Sequence, residues 1–168
     1  YGKALGGGVP MAAIGGSHEI MSGLEWGKVL HFGTHNAGRL ALHICKTMLT
    51  TMLEDNQAGF VKIKDLGIKL TEEIQSISRK NTKHKMVCQG VNSMFQIFFT
   101  DQKEISNYRD FCRSVDRVKF RDFALKLFDK GIYMNPSATL HSLSSIIHNE
   151  KDIEVTARAI AETLDEMP

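Results

Sequence analysis

The chain has 168 residues, with 21 basic and 19 acidic side chains and a formal net charge of +2. This length fits one domain or two small ones and excludes a large multidomain assembly. The near-balance of charge leaves no electrostatic footprint for nucleic acid, and no apolar run reaches the ~18 residues that a bilayer span requires.

Ten of the 14 glycines fall in the first 40 residues, so a loop-rich front precedes a more regular back. Helical periodicity begins after Gly38, where Leu40, Ile44, Cys45, Met48, Leu49, Met52 and Leu53 recur at three and four residues. Asp55-Asn56 breaks it. A second helix is predicted with Phe60, Ile63, Leu66, Leu70, Ile74 and Ile77 on one stripe and a solvated charged face opposite. Met94 to Thr100 has the composition and length of a strand.

A third helix is expected over Val115 to Lys130, stopping at Gly131. Ile132-Tyr133-Met134 and Leu143 to Ile147 are predicted as short strands. The last helix carries Asn149 as its cap, Asp152 three residues on, and the stripe Ile153, Ala157, Ile160, Leu164. Strands alternating with helices from about Asn56 onward argue for an α/β or α+β domain.

The three cysteines, Cys45, Cys88 and Cys112, form no CxxC pair. Neither a zinc site nor a disulfide framework is indicated, and a reducing cytoplasmic setting is expected. The seven histidines show no metal spacing, and His148 fits a structural role near the last helix cap. The basic and aromatic run from Asn107 to Lys130 is interleaved with Asp110, Asp116, Asp122 and Asp129, which argues against RNA binding.

The densest feature is the opening, Tyr1-Gly-Lys-Ala-Leu-Gly-Gly-Gly-Val-Pro10. It is not a phosphate-binding Gly-Lys-Ser/Thr loop: Lys3 precedes the glycines, and Ala4 stands where the hydroxyl residue belongs. Three glycines permit left-handed backbone and close approach of a ligand. Lysine is the side chain that forms a Schiff base with an aldehyde. A surface lysine beside a flexible turn fits the same residues.

The string from Gly2 to Gly16, Gly-Lys-Ala-Leu-Gly-Gly-Gly-Val-Pro-Met-Ala-Ala-Ile-Gly-Gly, resembles the cofactor-lysine segment of class III aminotransferases. Within that class it looks most like the glutamate-1-semialdehyde 2,1-aminomutase family. Glu19-Ile20-Met21 at a helix start, Gly33-Thr34, Met94-Phe95, Phe98-Phe99-Thr100, Gly131 to Ser137, Ser145 and His148 continue the likeness in order. The resemblance covers nearly the whole chain but only the C-terminal part of the family's own, so a fragment of something longer is expected.

The resemblance implies an α/β fold, the C-terminal portion of a fold-type I pyridoxal phosphate-dependent transferase. Residues 1–55 would end the large cofactor domain, and 56–168 would form a small domain of a few antiparallel strands covered by helices. Lys3 aligns with the lysine that holds pyridoxal 5′-phosphate and later shuttles a proton. Gly33 and Thr34 align with the Gly-Thr that reaches the cofactor phosphate of a neighbouring subunit, so a homodimer acting on a small amino substrate is implied.

The implied reaction is amino-group transfer, in its sharper form the conversion of glutamate-1-semialdehyde to 5-aminolevulinate for tetrapyrrole synthesis. Another class III aminotransferase activity, or a non-catalytic dimerisation fragment, are the alternatives. Two departures stand out. The run after Gly33-Thr34 is His35-Asn36-Ala37-Gly38-Arg39, without the family's proline, and Leu140 occupies the position of a glutamate that lies near substrate in the aminomutases. The family's front part, which carries the aspartate that pairs with the pyridine nitrogen, has no counterpart in this sequence.

Overall fold

The glycine-rich front folds into a 3-10 turn, Lys3–Gly6, and a short helix α1, His18–Glu25. These come from a computed structural model that describes residues 1–25 and 27–168. The chain divides into two compact units, Tyr1–Gly59 and Phe60–Pro168. Helix α2 runs Arg39–Lys80 but is interrupted at Glu54–Gln57, where Asp55, Asn56 and Gln57 take φ of 48°, 57° and 67°. The predicted break at Asp55-Asn56 is therefore present. It is a left-handed turn of three residues without a glycine, a conformation that Asp and Asn tolerate better than Gln.

In the first unit, the stretch of α2 before the break buries Cys45 and Met52 and half-buries Ile44, Met48 and Leu49. Its outermost apolar residues, Leu40 and Leu53, are exposed.

In the second unit, the stretch of α2 after the break buries Leu66, Leu70 and Ile74. A three-stranded antiparallel sheet of order β1-β2-β3 follows, formed by β1 (Met86–Val91), β2 (Met94–Phe99) and β3 (Ser142–Leu143). The β1–β2 hairpin pairs Met86 with Phe99 and Val91 with Met94, which leaves Asn92-Ser93 as a two-residue turn. Asn92 has φ 54°, a conformation for which hairpins favour Asn and Gly.

Helices α3 (Tyr108–Ser114), α4 (Arg117–Asp129) and α5 (Glu150–Glu166) complete this unit. Phe95, Ile97, Phe99, Phe120, Phe123, Leu127, Ile153, Ile160 and Leu164 belong to one core with the α2 residues. The ring of Phe99 meets Phe123 edge-on at 5.3 Å between centroids, a favoured aromatic geometry.

Caps define the helix ends. Asn107 accepts from the N–H groups of Arg109 and Asp110, and Asp116 accepts from Lys119. At the end of α4, Gly131 has φ 80°. Its N–H donates to the Phe128 carbonyl, while the Ile132 N–H donates to Leu127. That pair of bonds is a Schellman stop, as Gly131 predicts. Asn149 and Asp152 form a reciprocal capping box on α5.

Three expectations need correction. The third helix begins at Arg117 rather than Val115, because Asp116 is its cap. Ile132–Met134 is not a strand, since no neighbouring strand lies in register beside it. The strand expected over Leu143 to Ile147 is only Ser142–Leu143, and the following residues turn towards the α5 cap. Among the described residues no helix is long and apolar enough to cross a membrane, and no group of three or more His, Cys, Asp or Glu gathers as a metal site.

Candidate active site

The opening loop is tied into a ring at its base. The Tyr1 nitrogen donates to the Ala13 carbonyl at 2.7 Å, and the Ala13 N–H returns a bond to Tyr1 at 2.8 Å. Inside this ring Lys3 begins the 3-10 turn, with the Leu5 N–H donating to Gly2 and the Gly7 N–H to Ala4. Lys3 itself has φ 55°. A side chain in the left-handed region is uncommon, and such residues concentrate where a group must be aimed.

The trailing glycines divide the work. Gly7, at φ 56°, lies against α2, and a Cβ there would come within 3.1 Å of Ile44 Cγ2 and 3.4 Å of Met48 Cβ. Gly8, at φ 104°, has nothing within 4 Å of that position, so the space beside it is open. Lys3 is exposed, and among the described residues its amine joins no hydrogen bond or ion pair. An exposed lysine amine can form a Schiff base with a carbonyl carbon.

Gly33 and Thr34 open a tight turn that the Asn36 N–H closes onto the Gly33 carbonyl at 3.0 Å, with Ala37 at φ 53°. Both residues are exposed. Among the described residues, neither the Thr34 hydroxyl nor its N–H has a partner. No hydrogen bond or ion pair links Lys3 to Gly33 or Thr34.

In the second unit Leu140 is half exposed and ends a turn in which its N–H donates to the Ser137 carbonyl at 3.0 Å. The Ser137 N–H donates to Asn135 Oδ1, and the Ser137 and Thr139 hydroxyls meet at 2.8 Å. The turn is fastened to β2 by Gln96, whose side-chain amide donates to the Ala138 carbonyl at 3.2 Å. Gln96 is buried, and sequence reasoning missed its role. The signal was a lone amide inside the apolar run Met94-Phe-Gln-Ile-Phe98, because a polar group buried in a strand needs a partner. His148 has the structural role expected of it: its Nδ1 accepts from the Ser145 N–H just ahead of the Asn149 cap.

The model of the class III aminotransferase family, "Aminotransferase class-III", matches residues 1–164. The chain belongs to this family. Among similar proteins, a glutamate-1-semialdehyde 2,1-aminomutase of Clostridium kluyveri is 33% identical over 159 residues, covering 94% of this chain and 37% of the relative. Another of that name from Alkaliphilus oremlandii is 35% identical over 168 residues, covering 99% and 38%. The chain thus spans under two-fifths of the length of these relatives.

The class III fold is equally plain in solved structures. An omega-transaminase from Sphaerobacter thermophilus superposes with a TM-score of 0.81 at 22% identity, covering 98% of this chain and 37% of that one. A β-phenylalanine aminotransferase from Variovorax paradoxus gives 0.83 at 22% identity, covering 96% and 36%. The expected fold, the C-terminal portion of such an enzyme, is the one observed.

Proposed function

We propose that this chain is the C-terminal portion of a pyridoxal phosphate-dependent enzyme of amino-group transfer, with Lys3 as the residue that holds the cofactor. The observation that carries the reading is Lys3 itself: an exposed amine on left-handed backbone, unpaired among the described residues, in a loop whose Gly8 has open space beside it. The residues fit the group chemically. Lys3 offers an amine for the cofactor's aldehyde, and Thr34 offers a hydroxyl and N–H, unpartnered among the described residues, for its phosphate.

When bound, pyridoxal phosphate supplies an electron sink for the bond broken at the substrate Cα. Lys3 would anchor the cofactor and, once displaced by a substrate amine, carry a proton at that carbon. Gly33 and Thr34 would act on the cofactor of a partner copy, so the whole protein would be a homodimer. Residues 1–55 would close a large cofactor domain, and 56–168 would form the small one. The partner of the pyridine nitrogen would lie in a preceding segment, so this chain alone would bind cofactor weakly and not turn over. Its three free thiols suit a cytoplasmic setting.

The sharper reading is glutamate-1-semialdehyde 2,1-aminomutase, supported by relatives of that name at 33–35% identity. A second reading, a class III aminotransferase acting on another amino acid or amine, is favoured by Leu140, a half-exposed isobutyl group at the position where the family resemblance implies a glutamate.

Borohydride reduction of the whole protein loaded with cofactor, followed by peptide mapping, tests the assignment. Label is expected on Lys3 and is lost in Lys3→Ala. Label on any other lysine overturns the reading.

A further inference from the structure

Gln89 on β1 and Gln96 on β2 are register partners across the hairpin. Each fastens a different loop to the sheet. Gln89 Oε1 accepts from the Ile105 N–H at 2.6 Å, and its amide nitrogen donates to the Ile105 carbonyl at 3.4 Å. Gln96 donates to the Ala138 carbonyl at 3.2 Å. Residues of both loops line a cavity of about 480 Å³. Phe98 and Phe111 also line it, edge-on at 6.0 Å between ring centroids, and Tyr108 stacks on Phe111 at 5.8 Å. The cavity lies wholly within the second unit, and its chemistry does not depend on the role of Lys3.

Gln96 is only 8% exposed and lines this cavity, yet its Oε1 has no partner among the described residues. Buried amide oxygens are as a rule paired, so an unpaired one in the lining of a cavity marks the place of a missing donor. Among the described residues no Lys, Arg, Asp or Glu lines the cavity. An ion placed there would lose water and meet none of these charges. Three aromatic side chains in the lining favour a flat ring instead.

We propose that this cavity binds a small uncharged aromatic molecule whose N–H or O–H donates to Gln96 Oε1. The ring lies against Phe98, Tyr108 and Phe111. The two glutamines hold the loops in place before the ligand arrives, and walls set in advance lower the ordering cost of binding. The volume is that of a small-molecule pocket, in the range of roughly 300–1,000 Å³.

Indole and N-methylindole are the probes: they share a ring system, and only indole carries an N–H. Titrated into the full chain near neutral pH and followed by NMR, indole should bind saturably with a Kd at or below about 1 mM. The shifts should centre on Gln96, Ile105–Phe111 and Ala138–His141. N-methylindole should bind roughly two- to tenfold more weakly, the worth of one hydrogen bond. Tyr108 is 71% exposed, so Tyr108→Ala removes one wall and leaves the core intact. It should weaken indole by roughly the same two- to tenfold. Equal affinity for the two probes, shifts that map elsewhere, or an unchanged Kd in Tyr108→Ala overturns the proposal. Should the variant fail to fold, the two probes on the native chain decide by themselves.

Discussion

Gly67 on α2 lies directly under the carbonyl of Asn92 in the β1–β2 turn: a Cβ at Gly67 would overlap that oxygen and come within 2.5 Å of the Ser93 Cα. Both neighbours are backbone, so neither can swing aside as a side-chain tip would. The glycine lets helix and hairpin approach, and the approach lets the buried face of β2 meet Leu66 and Leu70.

Gly67→Ala therefore separates two opposed effects. Alanine in a helix interior gains about 1 kcal/mol over glycine. Forcing a methyl group into packed backbone costs roughly 1–3 kcal/mol. The overlap here is with fixed atoms, so net destabilisation is expected, read as a lower urea midpoint. A midpoint that rises would show that the hairpin moves away freely.

The thiols should divide sharply in reactivity. Burial pushes the Cys88 thiol up to about 12, so at pH 8 it stays protonated within β1. Cys112 on α3 is exposed. Iodoacetamide at pH 8 should label Cys112 and leave Cys88 unmodified until the chain is unfolded, since the thiolate is the nucleophile. Mass spectrometry of native and denatured samples checks this, and equal labelling in both would mean that β1 opens readily.

Leu140 decides between the two enzymatic readings. Should the aminomutase reading hold and a carboxylate at this position contact a charged substrate group, its return is worth about 1.5–3 kcal/mol. Leu140→Glu in the whole protein should then raise kcat/KM on glutamate-1-semialdehyde by roughly ten- to a hundredfold. The Ser137–Leu140 turn is exposed at this point and can accept the longer side chain. An unchanged kcat/KM would make Leu140 a bystander.

What the sequence revealed followed from strong local signals. The α2 stripes, the Gly131 stop and the Asn149 cap each rest on a few neighbouring residues, and each appears in the structure. Strand β1 was missed because Gln89 and Gly90 blunt its apolar pattern; its identity comes from pairing with β2. Helix α3 was missed because seven residues carry little periodicity, and its start depends on the Asn107 cap. Ile132–Met134 has strand composition, but a strand needs a neighbour, which composition alone does not supply. Lys3 was legible as a candidate from its glycines, whereas its left-handed backbone required coordinates.

The left-handed run at Asp55, Asn56 and Gln57 has a consequence for how this sequence can change length. An α-helix turns by about 100° per residue, so a deletion within an unbroken helix rotates every later side chain onto a new face. Removing one residue between Leu66 and Ile74 would carry Ile74, wholly buried, away from the core. At the break the helical phase is already reset, so the stripe from Phe60 to Ile77 does not inherit its phase from the stripe from Leu40 to Leu53. An insertion or deletion around Glu54–Gln57 therefore rotates no residue within either helical stretch, and each apolar stripe keeps its own face.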